Sequence, residues 1–323
     1  MININKGTAL VTGANSGIGY ETAFQLESAG YKKVILGCRT IEKGESARKN
    51  LIERGSKDVF ETIAIDVSEV ESSLAAGKEL ISRGYRIDLL ILNAGMSSGS
   101  TITKNSNGVD MTFASTLIGH HTLTMHLLNN GGINENGKIL IAGSEAARGD
   151  VPGISLPNMD EVVKTDFKGS LHDALKAYAE ATYPTKYVPM NSYALAKLYV
   201  AWWASSLSKN LTNGITINAV SPGAVSSTSF GRDMPWFMQK IMMPIMKTIG
   251  PMMGMDGPVS SAGERYLDVS HYGAEASGKF FGSPPKKLVG KLEEQRTSLI
   301  LDEKKQDEGY KLIVELAGGI DLA

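Results

Sequence analysis

Eight residues near the N-terminus, TGANSGIG from Thr12 to Gly19, limit the folds open to this chain more than any other stretch. They join a short apolar run, Ala9–Thr12, to a helical pattern that starts at about Gly17. A run that short and apolar reads as a strand buried on both faces. Gly13, Gly17 and Gly19 let the backbone turn sharply where strand becomes helix. They also let it approach a ligand on the helix N-terminus, whose N–H groups and positive potential suit a pyrophosphate. The competing reading is a plain strand–helix turn, and the rest of the chain weighs against it.

Further short apolar runs follow at Val34–Gly37, in VFETIAID ending at Asp66, at Leu89–Leu92, and in KILIAGS, GITINAV and GKFFG. Amphipathic stretches separate them: IEKGESARKNLIERG, VESSLAAGKELISRG and DMTFASTLIGHHTLTMHLL. This alternation predicts an α/β fold, a Rossmann-type doubly wound parallel sheet of about seven strands with helices on both faces. The rhythm breaks after Ser144. A segment at 147–190, with four prolines and one short helical pattern (SLHDALKAYAEA), is read as an insertion before a long helix through Tyr193 and Lys197. We expect one domain over 1–323, with 229–323 as its substrate-binding or lid portion.

Tyr193 and Lys197 stand four residues apart, so a helix puts phenol and ammonium on one face. A nearby cation favours phenolate, which would let the tyrosine exchange a proton at neutral pH. At the tip of the second strand, where an acidic residue would bind ribose hydroxyls, the chain has Cys38 and Arg39. Arg39, assisted by Lys43, suits a 2′-phosphate, so NADP(H) is preferred, with NAD as the alternative.

Taken together, these residues resemble the short-chain dehydrogenase/reductase family from Thr12 to about Thr228. The resemblance assigns Gly13, Asn15, Ser16, Gly17, Ile18 and Gly19 to the cofactor turn, and Asp66 and Val67 to an adenine contact. Asn93, Ala94 and Gly95 would line the cofactor. Pro222 and Gly223 would lie against the nicotinamide, with Val225 at its carboxamide and Ser227 or Thr228 near the phosphates. It makes Tyr193 the general acid/base, with Lys197 lowering its pKa and holding the ribose, and Ser144 orienting the substrate oxygen. It also implies a small-molecule substrate and a homo-oligomer.

The chain departs from the family pattern in two places. Thr116 stands where the family often has asparagine, while Gly119 and His120 are kept. A hydroxyl can bind a water but lacks the amide's two-ended bonding, so relay and simple packing stay open for Thr116. Tyr193 follows Ser144 by 49 positions, a gap that resembles the retinol-dehydrogenase-like and protochlorophyllide-reductase-like branches. The lone cysteine sits at the second strand, which argues against light-driven pigment reduction. Eight of the 14 methionines fall between Met234 and Met255. Such flexible, polarizable side chains suit a cover over a lipophilic pocket, with a buried helix pair, a subunit contact or peripheral membrane contact as alternatives.

Composition sets the outer limits. Lys plus Arg number 33 against 34 acids, so nothing points to nucleic acid. Cys38 is the only cysteine, which excludes an intrachain disulfide and a cysteine-ligated metal cluster. No metal is expected, since His120 and His121 lack a matching ligand set and read as packing or hydrogen-bonding groups. Trp202 and Trp203 read as core, one of them a candidate for a helix or subunit contact; Asp173 and Glu180 read as solvated. With no secretory pattern at the N-terminus and no apolar run of membrane-spanning length, a cytoplasmic location is expected. The expectation is an NADP(H)-dependent alcohol/carbonyl oxidoreductase acting on a rather apolar substrate. Its rivals are an enone-type C=C reductase and a nucleotide-binding sensor without turnover.

Overall fold

The computed structural model describes residues 6–96, 99, 101–225 and 255–323. Its strands are β1 (Thr8–Thr12), β2 (Lys33–Cys38), β3 (Phe60–Ala64), β4 (Ile87–Leu92), β5 (Ile133–Ala142), β6 (Thr216–Val220), β7 (Phe280–Gly282) and β8 (Glu293–Glu294). They form one sheet in the order β3-β2-β1-β4-β5-β6-β7-β8. All neighbours are parallel except β7 and β8. The expected parallel strands are therefore present, with one antiparallel edge strand added. β8 is two glutamates and carries no apolar signal; it exists because the chain doubles back to pair Glu294 with Phe281.

Crossover helices cover both faces: α1 (Gly17–Ser28), α2 (Ile41–Glu53), α3 (Val70–Ser82), α4 (Met111–Phe113), α5 (Gly119–Asn129), α6 (Met159–Thr165), α7 (Leu171–Ala179), α8 (Pro189–Ser208), α9 (Val259–Ser270) and α10 (Glu303–Leu316). Successive strand residues point to opposite faces. Leu10, Ile35 and Leu90 accordingly join one core with α5, α8 and α10, while Val11, Leu36 and Ile91 join the other with α1 and α9. All six residues of β4 are buried, which explains its continuous apolar run. α8 is apolar nearly all round and begins with Pro189 at its first turn. Trp202 and Trp203 are both core residues, donating through their indole N–H groups to the Leu299 carbonyl (2.7 Å) and His121 Nδ1 (3.0 Å).

Two segments differ from the simplest reading of the sequence. The pattern from Asp110 to Leu128 is broken by a π-helical turn at Ala114–Ile118. The insertion contributes Leu171, Ala174 and Leu175 to the same core as α8 and α10. His172 reaches Glu308 and Glu315 on α10, and Lys305 reaches Asp160 on α6. Asp173 is exposed as expected, and Glu180 lies 4.0 Å from Lys176. Residues 226–254, which hold Ser227, Thr228 and nearly all of the methionine-rich segment, lie outside the described residues.

Candidate active site

Strand order reverses between β1 and β4, and in an open parallel sheet that reversal leaves a crevice at the carboxyl ends of the strands. The glycine turn after β1 and Asn93-Ala94-Gly95 after β4 meet there. Gly13 and Gly17 have φ of +69° and +55°, a region other residues enter at a cost. A Cβ on Gly19 would stand 2.4 Å from the Gly13 carbonyl oxygen and 2.6 Å from Asn93 Nδ2. Glycine is what lets helix and turn touch. Asn15 and Ser16 are exposed, Ile18 is half-buried, and the Ser16 side chain makes no capping bond to α1. The first N–H groups of α1 thus keep their capacity to bind an anion.

Thr12 ties the two turns together. Its hydroxyl accepts from the N–H groups of Asn93 (2.9 Å) and Ala94 (3.0 Å) and contacts His120 Nε2 at 3.0 Å. With its lone pairs engaged, its one proton goes to Nε2. His120 therefore carries its proton on Nδ1 and donates to the Thr116 carbonyl at 3.0 Å. Burial drives the imidazole pKa down to about 3, consistent with this neutral role. The bond from His120 takes up the Thr116 carbonyl inside the π-helical turn and gives that irregularity a local cause. Gly119 is needed for packing: a Cβ there would lie 2.2 Å from the Val67 carbonyl oxygen.

At the tip of β2, Arg39 and Lys43 are exposed, and Thr40 caps α2. Arg39 Nε lies 3.4 Å from Asp66 Oδ2. The other Asp66 oxygen accepts from the Ser68 N–H (3.0 Å) and hydroxyl (2.6 Å), and Val67 is buried beside it. This corner could hold an adenosine end, with cationic side chains facing water for a phosphate.

At the other end of the crevice, Ser144 and Tyr193 share a hydrogen bond, and the Ser144 hydroxyl also accepts from the Ala146 N–H at 3.3 Å. Lys197 is buried, its Nζ 2.7 Å from the Ala142 carbonyl and 5.7 Å from the Tyr193 ring centre. A Cβ on Gly95 would come within 3.5 Å of Thr116 Oγ1 and 4.0 Å of Lys197 Nζ, so these three groups converge. The Thr116 hydroxyl is buried and has no hydrogen-bond partner among the described residues. An unpaired hydroxyl and a buried ammonium beside exposed Gly95 fit the ribose–nicotinamide end of a dinucleotide, whose hydroxyls would give Thr116 a partner and Lys197 a further one.

The expected lowering of the Tyr193 pKa is not what the structure gives. Burial pushes the phenol up to about 12, against the lowering effect of the Ser144 hydrogen bond, and Glu145 pushes it further up. Burial brings the Lys197 ammonium down to about 7. The helix does bring the two side chains together, but Lys197 points to a main-chain carbonyl, and loss of water outweighs its attraction for a phenolate.

Pro222, Gly223 and Val225 follow β6 and are half-buried. Two neighbours carried no sequence signal. Tyr266, on α9, donates to Asn93 Oδ1 at 3.3 Å, and Glu145 is buried beside Ser221. Among the described residues no cluster of three metal-binding side chains occurs, and no helix is long and apolar enough to cross a membrane.

A glycine turn able to receive an anion, a sheet crevice and a Ser–Tyr–Lys constellation fit a dinucleotide-dependent oxidoreductase. The short chain dehydrogenase family matches residues 7–156. Dehydrogenase/reductase SDR family member 13 of Bos taurus is 28% identical over 88% of this chain and 67% of its own length. Human retinol dehydrogenase 13 is 28% identical over 85% of this chain and 75% of its own. The structure of an actinorhodin polyketide ketoreductase mutant with NADPH shares the fold, with a TM-score of 0.59, 22% identity, and 87% and 96% of the two chains covered. The chain is similar to short-chain dehydrogenases/reductases over most of its length, a retinol dehydrogenase among them, and is an NAD(P)-dependent oxidoreductase acting on a small molecule.

Proposed function

We propose that this protein is a cytoplasmic, homo-oligomeric NADP(H)-dependent enzyme that interconverts an alcohol and a carbonyl on a lipophilic substrate. The hydrogen-bonded Ser144–Tyr193 pair beside buried Lys197 carries this reading. When bound, the nicotinamide donates or accepts the hydride. The protein's task is then to orient an oxygen and move one proton. Ser144 can hold the substrate oxygen next to the phenol. Tyr193, a phenol at neutral pH, is ready to donate its proton to an oxygen that gains charge during carbonyl reduction. Lys197 and Thr116 offer polar groups to the ribose and to water, and Lys197 is poised near neutral pH to replace the proton.

Arg39 and Lys43 at the exposed tip of β2 support the preference for NADP(H), as does the NADPH bound by the ketoreductase. The retinol dehydrogenase relative and the methionine-rich segment support an apolar substrate. The test is consumption of NADPH and of NADH with a panel of apolar aldehydes and ketones, retinal included. We expect turnover that prefers NADPH. Binding of neither cofactor, or no consumption of either with any member, would overturn the reading.

A further inference from the structure

One buried ion pair has no part in the chemistry above. Glu145 directly follows Ser144 and opens a short 3-10 turn; its side chain is 3% exposed, and that of its partner Arg265, on α9, is 8% exposed. One Glu145 oxygen accepts from the Ser221 hydroxyl. The other accepts from the Ser283 N–H (2.9 Å) and hydroxyl (2.8 Å) and lies 3.4 Å from Arg265 Nη1. Arg265 Nη1 also donates to the Ser221 carbonyl at 3.0 Å, and Nη2 donates to the Ser283 hydroxyl (2.9 Å) and the Gly290 carbonyl (2.7 Å). The Ser221 hydroxyl in turn accepts from the Gly223 N–H at 3.1 Å. Gly223 has φ +81°, and a Cβ there would lie 3.0 Å from Arg265 Nη1, so the turn rests against the guanidinium.

Burying two charges is expensive, and an apolar pair of similar volume often serves stability as well. What this pair provides is geometry. It grips the turn after β6 through Ser221 and Gly223, and it is one residue from the serine that bonds Tyr193. We propose that Glu145 and Arg265 are a positioning pair, holding the Ser221–Gly223 turn, and with it the nicotinamide end of the cofactor, against the Ser144–Tyr193 hydroxyls. The inference rests on the function proposed above.

The pair also sets part of the field at the phenol. Among the described residues, the Ser144 hydroxyl, Lys197 on its own helix, Glu145 and Tyr266 face Tyr193. Among them Glu145 is a buried anion, and Arg265 offsets it. Removing either charge should therefore move the alkaline limb of carbonyl reduction in opposite directions.

The experiment measures kcat, KM for NADPH and the alkaline pH limb in wild type, Glu145→Gln, Arg265→Met and the double variant, with thermal unfolding as the check on folding. We expect KM for NADPH to rise at least about tenfold in each single variant. The limb should shift to lower pH in Glu145→Gln, which has lost an anion, and to higher pH in Arg265→Met, where the anion is unopposed. The double variant should return the limb to the wild-type position but keep the raised KM. Folded single variants with wild-type KM and coincident limbs would overturn the proposal. If the single variants fail to fold, the neutral double variant decides: a raised KM supports positioning, and wild-type KM and kcat refute it. A wild-type enzyme that turns over no carbonyl with NADPH would sink the function proposal and this inference together, an outcome distinct from failure of the pair alone.

Discussion

Replacing Thr12 by valine tests whether one hydroxyl joins the two loops of the cofactor crevice. Valine keeps the shape of the side chain and removes only the polar atom. Thr12 is 0% exposed, so no water can take the place of the lost oxygen. The change strips acceptors from the Asn93 and Ala94 N–H groups and the donor from His120 Nε2. An unsatisfied buried group costs about 1–3 kcal/mol. Because the three share one site and can partly relax together, we expect a loss of about 3 kcal/mol. Thr12→Ser keeps the hydroxyl and loses one buried methyl, for a loss of about 1 kcal/mol. Urea unfolding of the cofactor-free protein reads both losses from the midpoint at unchanged slope. NADPH affinity should fall in Thr12→Val as well, because Asn93 and Ala94 abut the Gly13 turn. A Thr12→Val loss under about 0.5 kcal/mol, or a serine variant as damaged as the valine variant, would refute the reasoning.

Two further predictions follow from the charged groups. Burial holds the folded Lys197 pKa at about 7, below the ordinary lysine value of 10.5, so between these limits the unfolded chain binds more protons and folding stability rises with pH. The cofactor-free protein should therefore gain stability from pH 7 to 10, and lose it as pH falls through that window. Lys197→Met should flatten this part of the profile in urea titrations, and parallel profiles for the two proteins would contradict the assigned burial. Arg39→Ala should raise KM for NADPH about tenfold or more while leaving KM for NADH nearly unchanged; equal effects on both cofactors would remove Arg39 from phosphate recognition.

The sheet was legible because its strands are short apolar runs buried on both faces, and because the glycines of TGANSGIG meet a real steric need at Gly19. Ser144, Tyr193 and Lys197 were legible as a group, since helical spacing fixes direction. Their ionisation was not: spacing says nothing of burial, which raises the phenol and lowers the ammonium, or of the carbonyl that Lys197 Nζ selects. Groups joined across long stretches of chain escaped too. Arg265 is 120 residues from Glu145, and Tyr266 is 173 from Asn93. No local pattern announces such partners. β8 escaped because its two glutamates pair with β7 as an edge strand without any apolar residue to mark it.

The most direct test of the account compares Tyr193→Phe with wild type in two measurements, NADPH affinity by direct binding and carbonyl reduction under saturating NADPH. The substitution removes only the hydroxyl that bonds Ser144. The account predicts unchanged affinity with kcat reduced by about a hundredfold or more, the range expected when a positioned proton donor is lost. Turnover that survives at near wild-type rate in a variant that still binds NADPH would contradict it, and the proton would have to come from another group.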